Sequence, residues 1–80
     1  GGNTAAAVIE LKRALSQDPG LSDARLLLGQ VLLASGDSAG AVVELRKAEE
    51  AGVAKAKVLP DLARAMLMVG LPDKVVAQYA

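Results

Sequence analysis

The chain has 80 residues, and its nine basic and nine acidic side chains cancel to a formal net charge of zero. A neutral chain has no net field to attract a nucleic acid or an anionic membrane surface, so we expect neither as a partner. The sequence has no histidine and no cysteine, so it offers no imidazole base, no thiolate and no soft metal ligand. We therefore expect no metal and no cofactor, and the redox compartment stays open.

The first two helices are predicted from apolar residues that recur at helical spacing. The first covers Thr4 to about Gln17, with Asn3 or Thr4 as its cap. It stops at residues 18–20, Asp-Pro-Gly, because proline cannot continue a helix. The second helix is predicted from a cap at Ser22 to about residue 34, and Gly36 closes it in the left-handed conformation.

The third helix is predicted from a cap at Asp37 or Ser38 to about residue 51, with Gly52 as its stop. The buried face of this helix consists of Val42, Leu45 and Ala48. Glu44 lies three residues before Lys47, and Glu10 and Arg13 form the same pair in the first helix. We interpret both pairs as marks of a solvated face.

Pro60 favours a start of the fourth helix near Val58, since proline is welcome only in the first turn of a helix. Asp61 would then lie in that first turn, where the helix dipole favours an anion. The helix ends at Gly70, and Pro72 opens a fifth helix that continues to residue 80. The predicted buried stripe of the fourth helix is Leu62, Ala63, Met66 and Val69.

Gly2, Gly36 and Gly70 stand 34 residues apart, and further residues align at the same spacing. The aligned sets are Ala7, Ala41 and Val75; Glu10 and Glu44; Leu11, Leu45 and Tyr79; and Ala14 and Ala48. A fixed period of 20 to 50 residues is typical of stacked supersecondary units. The sequence therefore predicts repeats of paired helices.

These repeats resemble the tetratricopeptide family. The complete repeat, residues 22–55, supplies the family positions Leu28, Gly29, Leu32, Gly36, Ala41, Leu45 and Ala48. Residues 1–21 match the second half of a preceding repeat, and residues 56–80 match a truncated following one. The resemblance implies an all-α fold of helix-turn-helix repeats in a right-handed α-solenoid, and a scaffold for protein-protein interaction.

The chain departs from the family pattern at bulky positions. Arg25 and Leu59 stand where the pattern has tryptophan, and Val53 replaces its closing proline. Gly29 and Ala41 keep the small side chains that let two helices approach closely. We therefore expect an aliphatic core.

A narrower likeness rests on residues 24–37, 44–48 and 58–67. These stretches resemble repeats of the tetratricopeptide lipoprotein of the bacterial PEP-CTERM exosortase system, which is associated with exopolysaccharide gene clusters. The likeness implies the periplasmic side of a bacterial envelope, with a cytoplasmic location as the alternative. The likeness also implies a lipid anchor on a part of the chain outside these 80 residues. The sequence begins Gly-Gly-Asn, mid-repeat, and its most apolar stretch, residues 26–34, is far shorter than the roughly 20 residues that span a bilayer. We expect it to be a segment of a longer protein.

Carboxylates are the remaining candidates for catalysis. Glu49 and Glu50 are adjacent on a helix and point about 100° apart, and Asp18 and Asp23 flank a turn. Caps and exposed charges explain all four, so we expect no enzyme. Residues 36–40 lack the Gly-Lys-Ser/Thr ending of a phosphate loop.

The family resemblance places the first helix of each repeat along a concave wall. The positions that it assigns to partner binding are Asp23, Leu26, Gln30, Leu33, Ala34, Lys57, Arg64, Leu67 and Met68. We expect the leucines to bury a protein or peptide partner and Gln30, Lys57 and Arg64 to add hydrogen bonds. Capture of a C-terminal carboxylate is disfavoured, because the asparagines of such a clamp are missing. Two alternatives stay open: neighbouring repeats cover these leucines, or the chain assembles with itself.

Overall fold

The computed structural model describes residues 3–70 of the chain. Four helices follow one another in this part: α1 (Thr4–Gln17), α2 (Ser22–Ala34), α3 (Ser38–Glu50) and α4 (Lys55–Gly70). Each helix packs against the next along the chain, and α2 also contacts α4. The predicted all-α repeat architecture is confirmed. The predicted fifth helix, with Val75 and Tyr79, lies outside the described residues.

The turn between α1 and α2 is closed by Asp18. Its carboxylate accepts a hydrogen bond from the N–H of Gly20 at 3.1 Å, and its carbonyl accepts one from the N–H of Leu21 at 3.2 Å. The predicted stop of α1 is therefore confirmed. The predicted cap at Ser22 is wrong, because Leu21 holds the N-cap position of α2 and Ser22 is already helical. After the Asp18 turn, α2 begins at Ser22, one residue earlier than a cap at that residue would allow.

Two glycines close helices with the same hydrogen-bond pattern. Gly36 has a φ of +95° and Gly52 a φ of +114°. After Gly36, the N–H of Asp37 bonds the carbonyl of Leu32 at 2.9 Å, and after Gly52 the N–H of Val53 bonds the carbonyl of residue 48 at 3.0 Å. This pattern is the Schellman motif, which satisfies carbonyls at the end of a helix. Both predicted helix stops are confirmed.

Asp37 caps α3, as predicted. Its carboxylate accepts a hydrogen bond from the N–H of Gly40 at 2.9 Å. One of the two predicted solvated pairs is also confirmed: Glu10 and Arg13 approach to 3.6 Å with both side chains about two-thirds exposed or more. The interpretation of Glu44 as solvated is wrong, because its side chain is 15% exposed and lies 3.2 Å from the guanidinium of Arg25.

The start of α4 differs from the prediction. The helix begins at Lys55, so Pro60 lies in its second turn instead of its first. The turn before the proline is held by Val58, which is fully buried and whose N–H bonds the carbonyl of residue 54 at 3.3 Å. Core packing thus outweighs the backbone hydrogen bond that Pro60 cannot make. Asp61 consequently lies outside the first turn, and its predicted interaction with the helix N-terminus is wrong.

The core is aliphatic, as expected. Its buried members are Leu15, Leu28, Leu32, Ala41, Leu45, Ala48, Val53, Val58, Leu62 and Ala65. Gly29 and Ala41 occupy the close approach of α2 and α3: a Cβ atom on Gly29 would lie 2.7 Å from Cγ of Leu45. The requirement for a small side chain at residue 29 is therefore confirmed.

The predicted buried stripe of α4 is mostly wrong. Leu62 is buried, but Ala63, Met66 and Val69 are exposed within the described part of the chain. The face of α4 that packs inward consists of Val58, Leu62 and Ala65, at the spacing i, i+4 and i+7. Within residues 3–70 no helix combines the length and the hydropathy that crossing a membrane requires.

Candidate functional site

An opening in the described structure lies between α2 and α4, and we call it the α2–α4 groove. Its volume is about 420 Å³. Residues from the turn between α2 and α3 and from the start of α3 contribute to its lining near the C-terminal end of α2. The groove is lined by Gln30, Leu33, Ala34, Gly36, Ser38, Asp61, Arg64 and Met68.

The two helices present matching rows of side chains to the groove. In α4, Asp61, Arg64 and Met68 stand at i, i+3 and i+7, which places them on one helix face. In α2, Gln30 and Ala34 occupy the positions 34 residues before Arg64 and Met68. The two rows that face each other across the groove therefore come from equivalent positions of successive repeats. Both rows change along the groove from polar to apolar side chains.

A hydrogen bond crosses the groove. The side-chain amide of Gln30 donates from Nε2 to Oδ2 of Asp61 at 3.0 Å. The bond joins α2 to α4 at their exposed surfaces. It fixes the polar end of the groove and leaves the apolar end, formed by Leu33, Ala34 and Met68, open.

Five of the nine residues predicted to bind a partner line the groove: Gln30, Leu33, Ala34, Arg64 and Met68. Asp23 and Lys57 are exposed nearer the N-termini of their helices, beyond the groove. Leu26 is half-buried and packs with Leu33 against the core, whereas Leu67 is 60% exposed and does not line the groove. The three leucines thus do not form one continuous wall.

Asp61 also lines the groove, although the family resemblance did not assign it there. The signal was present, because Asp61 continues the helical row of Lys57, Arg64 and Met68. The misplaced start of α4 hid it. Leu27 on α2 is 48% exposed but does not line the groove.

The carboxylates considered for catalysis have local structural partners or face solvent. Glu49 lies 3.9 Å from the Nζ atom of Lys55, and Asp18 closes the first turn. Glu50 and Asp23 are exposed. Within residues 3–70, no group of three acidic side chains converges in an arrangement that would hold a metal ion.

A second recess, of about 310 Å³, lies between α3 and α4 on the other side of α4. Its lining includes Val42, Met66 and Val69, with Arg46 at its edge. The guanidinium of Arg46 donates to the sulfur of Met66 at 3.9 Å. We call this opening the α3–α4 recess.

Comparison with known proteins gives a match for the first three helices. No curated protein and no solved structure gives a match to the chain. The sequence model of the tetratricopeptide repeat family, in contrast, matches residues 1–59. This match covers more than half of the chain and includes α1, α2 and α3. The chain belongs to the tetratricopeptide repeat family.

Proposed function

We propose that this chain is a non-catalytic scaffold that binds a segment of a partner protein in the α2–α4 groove. Tetratricopeptide repeats generally mediate protein-protein interaction. The observation that carries the proposal is the groove itself, since polar side chains border its apolar end and would orient a bound segment. Pockets that bind ligands have this composition and a volume of roughly 300 to 1,000 Å³.

The groove supplies apolar contact and directional bonds in separate places. Leu33, Ala34 and Met68 offer apolar surface to a side chain of the partner. Gln30 and Arg64 lie next to this surface and carry N–H donors. A segment that buried one or two apolar side chains there would gain most of its binding free energy at the apolar end and its register at the polar end.

The test blocks the groove without changing its charge. Ala34 is exposed and lines the groove, so Ala34→Trp would fill the apolar end with little effect on the core. Ala5→Trp, on the exposed face of α1, is the matched control. Peptides selected for binding to the chain from a displayed random library should lose affinity about tenfold or more for Ala34→Trp and keep it for Ala5→Trp. Equal binding to both variants would refute the proposal.

A second candidate function, self-assembly, is favoured by the α3–α4 recess. Met66 and Val69 border this recess and are 47% and 53% exposed within the described chain. Exposed apolar surface of this kind is typical of interfaces. Light scattering over a hundredfold concentration range tests this candidate. A mass that doubles with concentration, and returns to the monomer in Val69→Glu, would support self-assembly, and a constant monomer would exclude it.

We also propose the periplasmic side of a bacterial envelope as the setting, on the sequence likeness to the PEP-CTERM lipoprotein alone. A cytoplasmic location is the alternative. A reporter enzyme that matures only outside the cytoplasm, fused to the full-length protein, distinguishes the two. An active reporter supports the periplasmic setting, and an inactive but intact fusion contradicts it.

A further inference from the structure

Arg64 differs from most basic residues of α2, α3 and α4 in having no partner within residues 3–70. Arg25 and Lys47 contact Glu44, and Lys55 contacts Glu49. Arg46 donates to a methionine sulfur. Of the basic residues in these three helices, Arg64 and Lys57 remain without a hydrogen bond or ion pair to described atoms. Both lie on the face of α4 that continues into the groove.

The carboxylate nearest to Arg64 along α4 is directed elsewhere. Asp61 stands three residues before Arg64, a spacing that commonly forms an ion pair on a helix. In the described structure Asp61 instead accepts the hydrogen bond from Gln30 on the facing helix. Asp37, in the turn before α3, is held by the N–H of Gly40 and does not line the groove. Within residues 3–70 the donors of Arg64 therefore have no acceptor.

Arg64, which is unpaired within residues 3–70, lies beside the apolar end of the groove. Met68 follows Arg64 by four residues, which is about 6 Å along the helix axis. Leu33 and Ala34 face them from α2. An apolar recess and an available cation thus lie side by side, about one helical turn apart. A segment that used both features would need a negatively charged group beside an apolar side chain.

We infer that the partner segment carries a side-chain carboxylate about 6 Å from an apolar side chain, and that it places the carboxylate on Arg64 and the apolar group between Leu33, Ala34 and Met68. This inference rests on the proposed function. The spacing corresponds to residues i and i+2 of an extended segment, or to i and i+4 of a helix. Arginine binds a carboxylate through two parallel N–H donors, so the contact also fixes register. The inferred carboxylate belongs to the side chain of an internal Asp or Glu of the partner, and not to the C-terminus of the partner.

The experiment selects peptides from a random library that is fused at both ends, so that every carboxylate comes from a side chain. Groove binders are those that lose affinity for Ala34→Trp. They should be enriched in Asp or Glu two to four residues from a large apolar residue. Arg64→Glu should weaken them about tenfold or more through loss of attraction and added repulsion. Lys12→Glu is the matched charge reversal, since Lys12 is exposed on α1, and it should leave affinity within about twofold.

The outcomes separate this inference from the function on which it rests. If no peptide loses affinity for Ala34→Trp, the proposed groove function fails and the inference fails with it. If groove binders appear without acidic enrichment, or bind Arg64→Glu as well as the parent chain, the inference alone is overturned. A parallel library with free C-termini completes the test, because groove binding that requires a terminal carboxylate would also overturn it.

Discussion

The guanidinium Nη1 of Arg25 lies 3.2 Å from Oε1 of Glu44, and the two side chains are only 18% and 15% exposed. The same guanidinium donates from Nε to the carbonyl of Pro19 at 3.2 Å. Arg25 therefore connects α2 both to α3 and to the turn that follows α1. It does so at the position where the family pattern has a tryptophan, so a polar network replaces aromatic packing at this joint.

Arg25→Leu should destabilise the chain more than an exposed substitution does. The change removes two hydrogen bonds and leaves the mostly buried carboxylate of Glu44 with Lys47, at 3.8 Å, as its one remaining basic partner within residues 3–70. Loss of one partner of such a pair costs roughly 1 to 3 kcal/mol. Urea denaturation followed by circular dichroism measures this loss as a shift of the unfolding midpoint. Arg13→Ala, in the exposed pair, should change stability little.

The double variant Arg25→Leu with Glu44→Gln provides a second control for that prediction. The sequence itself has leucine and glutamine at the corresponding positions one repeat later, Leu59 and Gln78. Removal of both charges should restore much of the lost stability, because no carboxylate is then left in a mostly buried place without its arginine. Additive losses would show that Arg25 acts mainly through the Pro19 carbonyl.

Gly29→Ala should lower stability through overpacking. The added Cβ would lie 2.7 Å from Cγ and 2.8 Å from Cδ2 of Leu45, whose side chain is fully buried and cannot swing away. Forcing α2 and α3 apart costs about 1 to 3 kcal/mol. Gly70→Ala is the control, because within residues 3–70 its added Cβ meets no atom within 4 Å apart from its chain neighbours and its own helix backbone. Thermal denaturation should separate the two variants, and equal melting temperatures would contradict the close approach.

Gly36→Ala should lower the free energy of unfolding by about 1 to 2 kcal/mol, and the reason is backbone conformation. The φ of Gly36 is +95°, whereas a Cβ there would meet no described atom within 4 Å apart from its chain neighbours. The loss corresponds to a fall in Tm of roughly 4 to 8 °C per kcal/mol. Gly36→Asn should lose less, because asparagine adopts the left-handed conformation more readily. If alanine and asparagine lowered Tm equally, the left-handed conformation would not be the cause.

Most of the local signals in the sequence predicted the structure correctly, although the predicted Ser22 cap is wrong. The Asp18 turn, the Asp37 cap and the glycine stops at residues 36 and 52 depend on close neighbours in the chain, and each was found. The start of α4 depends on Val58 reaching a core built by other helices, which no local pattern contains. The same error removed Asp61 from the predicted groove.

The groove itself was predicted in part because the family pattern specifies which face of each helix is concave. That pattern does not specify how much of each side chain is buried. Leu26 was assigned to the open wall, but it packs against the core, whereas Leu27, its neighbour, is 48% exposed. The difference is one residue, or about 100° around the helix, and it is set by the packing of α2 between its neighbours.

The two described prolines, Pro19 and Pro60, should respond to alanine in opposite directions. Pro60 lies in the second turn of α4, where it cannot donate a hydrogen bond to the carbonyl of Ala56. Pro60→Ala restores that donor and so stabilises the helix. Alanine also gives up the stabilisation of about 0.4 to 1 kcal/mol that proline provides by restricting the unfolded chain, but this loss is the smaller of the two effects. We expect a net stabilisation of about 1 to 2 kcal/mol, measured as a higher Tm. Pro19→Ala, in the turn after α1, has no helical bond to recover and should lower Tm slightly. A lower Tm for Pro60→Ala as well would mean that the proline ring contributes packing that exceeds the missing bond.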